Sequence, residues 1–114
     1  MVGTVLMVII PASHGCREFS RTYPNLKEEL STVDVQLETM LIEDVPRAFR
    51  PQIRWVPFFM YFTPKQWTEI TTDGNITSLE VPVFNHYHES RYLSSKFDIS
   101  PEALKTWVRS ITNT

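Results

Sequence analysis

Residues Thr4 to Phe19 read TVLMVIIPASHGCREF. Val5 to Ile10 is a short, unbroken apolar run rich in β-branched residues and closed by Pro11. A run of that kind predicts a central strand covered on both faces, because a strand with one wet face would alternate apolar and polar residues. Downstream, Phe19, Tyr23, Leu26 and Leu30 recur at the spacing of one helical face, which predicts an amphipathic helix from about Arg17 to Leu30. Pro24 falls inside that helix, removes a backbone donor and crowds the preceding turn, so a kink near Arg21 or a late start is expected. Between strand and helix lies a loop that holds Cys16, the one cysteine of the chain.

The pattern continues outward from this unit. Val33, Val35 and Leu37 alternate with Asp34 and Gln36, and Met40 to Ile42 prolong the apolar character, giving a second strand from about Val33 to Ile42. Pro46 and Pro51 bracket Arg47 to Arg50, enough for a short, irregular connector. Phe58 to Phe62, FFMYF, is the most aromatic segment and reads as a strand stopped by Pro64; the residues Thr68 to Val81 then suggest a hairpin around Asp73-Gly74. At the end of the chain Ser100 supplies an N-cap, Pro101 a first-turn proline and Glu102 an early acid. Leu104, Trp107, Val108 and Ile111 complete a C-terminal amphipathic helix. The expected fold class is α/β, one domain over residues 1–114 with a central mixed sheet of about four strands flanked by helices.

Composition narrows the function classes. The 114 residues are 42% hydrophobic and 21% charged, with a formal charge of −2 made of intermixed signs, which is a globular composition with no basic run to neutralise phosphates. Nucleic acid is therefore not an expected partner. The apolar start is too short for a membrane span and lacks the basic region and cleavage site of a signal peptide. A single cysteine allows no internal disulfide, and a reducing compartment is expected: the cytoplasm, or a particle assembled there.

Two stretches, Ile9 to Phe19 and Ile53 to Phe62, resemble the landmark segments of the thioredoxin-like family. In that family a strand leads into a Cys-x-x-Cys loop at a helix N-terminus, and an Ile-Arg-Gly-Val/Ile-Pro segment carries a cis-proline opposite it. Ser13-His14-Gly15-Cys16 is similar to the loop with the first cysteine replaced by serine, and Ile53-Arg54-Trp55-Val56-Pro57 to the proline segment with tryptophan in place of glycine. The resemblance implies a trimmed, glutaredoxin-sized core, with no counterpart of a full thioredoxin's first strand and helix before Thr4. It also implies a cis Val56-Pro57 bond beside a peptide-binding groove. A second register aligns Cys16 with the first cysteine of the motif and Pro24 with a helix-kinking proline.

The two registers differ in chemistry. Dithiol exchange needs two thiols, one exposed with a lowered pKa and one waiting to resolve the mixed disulfide, and this chain has one. In the first register Ser13 stands at the attacking position, where a hydroxyl without a base is a negligible nucleophile, and Cys16 is a buried thiol. In the second, Cys16 is an exposed nucleophile at a helix N-terminus beside Arg17, suited to monothiol exchange. The expectation is a redox-inactive binding or structural component of a multi-protein assembly, by resemblance a viral particle, with monothiol oxidoreductase as the alternative. The candidate site residues are Cys16 and Ser13 for chemistry, and His14, Gly15, Trp55, Val56 and Pro57 for binding a protein partner. His86 and His88, with Glu89 next to them, have no further ligand at informative spacing, so neither a metal nor a cofactor is expected.

Overall fold

Strand β1, Gly3–Ile9, is the middle of the sheet in the computed structural model, which describes residues 2–73, 81–84 and 100–112. It pairs in parallel with β2, Val35–Leu41, from Gly3 opposite Val35 to Ile9 opposite Leu41. On its other side it pairs antiparallel with β3, Phe58–Phe62, from Thr4 opposite Phe62 to Val8 opposite Phe58. Side chains alternate across a strand, so β1 feeds two cores. Val5 and Met7 join Leu37, Phe19, Leu26, Leu30, Leu104 and Val108 on one face, and Leu6 and Val8 join Val45, Phe49, Phe58, Met60 and Ile70 on the other. That double cover accounts for the unbroken apolar run, and each such side chain contributes on the order of 1.5–3 kcal/mol of burial.

The predicted first helix is two helices. Helix α1, His14–Thr22, starts earlier than the apolar stripe suggests, because Ser13 takes the N-cap position and its carbonyl accepts from the Arg17 amide at 3.1 Å. It ends at Tyr23, whose amide still donates to the Phe19 carbonyl at 2.9 Å. Pro24 has no amide to continue the ladder, and α2, Leu26–Ser31, begins two residues later. The stripe itself survives the break: Phe19, Leu26 and Leu30 are all buried. The second strand starts at Val35 rather than Val33, since Asp34 adopts the left-handed conformation, φ 60°, that turns the chain out of α2.

Two sequence expectations are corrected beyond β3. Pro64 does not merely stop the strand; it is the first residue of helix α3, Pro64–Asp73, so the segment read as the first arm of a hairpin is helical. The local cause is a capping box, Thr63-Pro64-Lys65-Gln66: the Thr63 amide donates to Gln66 Oε1 at 3.0 Å and the Gln66 amide to Thr63 Oγ1 at 3.2 Å. Among the described residues the sheet has three strands rather than about four. Next to β3 the described chain makes a single antiparallel bridge, Val83 to Met60, reinforced by bonds from the Tyr61 amide to the Pro82 carbonyl and from the Phe84 amide to the Phe59 carbonyl, each 3.0 Å. Pro82 brings no donor to this pairing. The rest of the expected hairpin, and the His86-Tyr87-His88-Glu89 stretch, lie outside the described residues.

Helix α4, Pro101–Thr112, forms as expected, with Ser100 Oγ accepting from the Ala103 amide at 3.1 Å. Leu104 and Val108 are fully buried, and Lys105 reaches Glu29 of α2 at 2.5 Å and Glu102 at 3.4 Å. The result is a mixed sheet with α1, α2 and α4 on one face and α3 with the connector between β2 and β3 on the other. No helix among the described residues is long and apolar enough to cross a membrane.

Candidate functional site

The loop after β1 and the segment before β3 meet at one end of the sheet. A tight turn, closed by the Ser13 amide donating to the Ile10 carbonyl at 2.8 Å, brings the chain from β1 into the first turn of α1. Ser13, His14, Gly15 and Cys16 are thus an N-cap and the three residues after it. His14 and Gly15 are exposed and Ser13 half-buried, whereas Cys16 turns inward and is 4% exposed. The Ser13 hydroxyl makes no capping bond, so it satisfies none of the first-turn amides, which by helix geometry lack a partner within the helix.

Opposite this turn runs the second landmark. The connector from β2 folds back through 3-10 turns at Ile42–Asp44 and Arg50–Gln52. The Arg50 guanidinium ties it together, donating from Nε to the Val45 carbonyl at 2.9 Å and from Nη2 to the Glu43 carbonyl at 2.6 Å. Val45 and Phe49 anchor the connector in the core. It delivers Ile53 to Pro57 to the mouth of the site, where the Val56-Pro57 bond is cis. The sequence reading does not single out Arg50; its one signal is an arginine between Pro51 and the core-anchoring Phe49.

The two segments touch at Gly15 and Val56. A β-carbon built on Gly15 would lie 3.3 Å from the Val56 carbonyl oxygen and 3.8 Å from Ser13 Oγ. Close backbone approach of that kind is a position for glycine. The backbone of Val56 makes no hydrogen bond among the described residues, and its side chain is half-buried. Ser13, Gly15 and Val56 therefore meet at one small surface, and their chain neighbours Cys16 and Pro57 are buried.

Two other predicted site residues stand apart in character. Trp55 is half-buried and packs against the second core, its ring 5.6 Å from that of Phe58 in an edge-on arrangement. His14 faces solvent and makes no ion pair among the described residues. Chemically the site offers one inward thiol and one hydroxyl without a hydrogen-bonded base, together with open backbone groups. No cluster of His, Cys, Asp or Glu suited to a metal occurs among the described residues. The chain matches no protein-family model, no curated protein and no solved structure.

Proposed function

We propose that this chain is a thioredoxin-like domain without dithiol chemistry, acting as a binding component of a larger protein assembly. The observation that carries the reading is the meeting of Gly15 and Val56, with a Val56 backbone that has no partner among the described residues. An amide and a carbonyl left open beside a helix N-terminus suit an extended peptide, which pairs with them as an added strand would. Ser13 at the N-cap, where the resemblance puts the first cysteine, removes the attacking thiol and leaves a surface that holds without exchanging. Among the described residues the exposed large apolar side chains are Val2 and Ile10, neither aromatic, so contact there rests on backbone and on half-buried Val56 rather than on an aromatic patch.

The alternative, monothiol exchange through Cys16, requires a thiol that a small disulfide can reach. At 4% exposure the Cys16 side chain does not offer one. Alkylation of the native protein across pH separates the two readings. Labelling is expected only after unfolding, and rapid labelling below pH 7 would overturn the reading of Cys16 as an inert thiol. Introducing Ser13→Cys tests the register: oxidation of the folded variant by diamide should close a disulfide to Cys16, and a variant that stays reduced while folded would refute the alignment.

A further inference from the structure

The opposite side of the sheet carries a second open surface. β2 is hydrogen-bonded to β1 along one edge, and along its other edge Val35–Leu41 makes no backbone bond among the described residues. Beside that edge runs a groove of about 420 Å³, floored by Met7, Phe19 and Leu26 and walled on the helix side by Tyr23 and Pro24 at the break between α1 and α2. The break is what opens it, since a continuous helix would carry the stripe straight past Leu37. Lys27 stands on the helical rim and the Leu37–Thr39 backbone forms the strand rim; neither Lys27 nor Glu38 makes an ion pair among the described residues.

We infer that the free edge of β2, together with this groove, is a strand-addition site for an extended segment of another protein. The segment places an apolar side chain in the groove and a basic side chain against Glu38. An edge strand presents a row of N–H and C=O groups that only another extended backbone satisfies in full. Alternation sets the register: Leu37 packs on the first core and Met40 on the second, so Glu38 projects to the face opposite the groove. Residues of an added strand that fall beside Leu37 and Thr39 enter the groove, and the residue between them lies against Glu38. Lys27 repels a basic residue from the groove, which confines the positive charge to the Glu38 position. A second copy of this chain fits poorly. Antiparallel pairing of two β2 strands about the centre of Val35–Leu41 sets Glu38 opposite Glu38, and like charges directly opposite destabilise a sheet.

The test uses a fluorescein-labelled, end-blocked peptide, Thr-Leu-Arg-Leu-Thr, and the same peptide with Glu in place of Arg. Binding is followed by anisotropy, and its place by the amide resonances of the full-length protein. The Arg peptide is expected to saturate and to shift the amides of Val35–Leu41. Charge reversal at the half-exposed Glu38, Glu38→Lys, should weaken it about five-fold or more and reverse the preference toward the Glu peptide. Absence of saturable binding below about 1 mM overturns the proposal. Equal binding of both peptides to wild type and variant also overturns it, as do shifts confined to Ser13–Cys16 and Val56–Pro57, which would locate the peptide at the other surface. Concentration-dependent self-association through β2 would assign the edge to a second copy and refute the partner named here.

Discussion

The carbonyl oxygen of Val56 faces Gly15 closely: a β-carbon on Gly15 would sit 3.3 Å from it, tighter than ordinary contact by a few tenths of an ångström. Two segments far apart in sequence are thereby held in backbone contact, and the contact sets the width of the candidate site. Gly15→Ala should be nearly neutral, within about 1 kcal/mol, because the helix gains propensity while the Val56 carbonyl gives way by a few tenths of an ångström. Gly15→Val, stiff and larger, should lose on the order of 1–3 kcal/mol by displacing that carbonyl. Urea midpoints of the two variants decide it, and equal stability would show that the segments are not in contact.

The capping box at the head of α3 is separately measurable. Thr63→Ala should cost about 1 kcal/mol. Since the Thr63 and Gln66 bonds are reciprocal, Thr63→Ala and Gln66→Ala should together cost less than their sum. Additive losses in thermal unfolding would show that the two side chains act independently.

At the start of β1, the ring of Tyr61 lies over Gly3: a β-carbon on Gly3 would come within 2.6 Å of two ring carbons. Gly3→Ala should therefore destabilise by about 1–3 kcal/mol, and Tyr61→Leu should recover part of the loss in the double variant although it removes an aromatic ring from the sheet. Without that recovery the close approach is not the cause.

Lys105 ties α4 to α2. Its hydrogen bond to Glu29 is the main influence holding its pKa above the ordinary value of 10.5, opposed by burial and helped by the charge of Glu102. The folded-state value is raised, so this contribution is fully present below about 10.5 and is lost as the pH climbs through the folded-state value. Through this group stability should not vary with pH near neutrality and should fall in strongly alkaline solution, and Lys105→Met should flatten that alkaline decline. Denaturation midpoints measured on either side of the transition provide the check.

These positions also show what could be read in advance. The continuous run Val5–Ile10 announced a strand with two covered faces, and the stripes from Phe19 to Leu30 and from Leu104 to Ile111 announced helices, because burial periodicity survives even where the helix itself breaks. Cys16, Gly15, Val56 and Pro57 were legible as a site because a resemblance drew them together. Their contact was not, being set by a connector that Arg50 folds through main-chain carbonyls. The segment after Pro64 was misread for a definite reason. Thr68, Ile70, Thr71 and Thr72 have strand preferences, yet the two capping bonds at Thr63 and Gln66 start a helix upstream and Ile70 finds its place in the second core from there.

The strand at the centre of the sheet precedes both of its neighbours along the chain. During synthesis on the ribosome, Val5, Leu6 and Val8 emerge first and have no strand to join on either side until Leu41, and then Phe62, have followed. Both pairings are long-range, so loop-closure entropy must be met before either begins to stabilise the sheet. The central strand is thus the one that waits longest for company, and a nascent chain stalled before β3 leaves one whole flank of it bare to chaperones and to other unfinished chains.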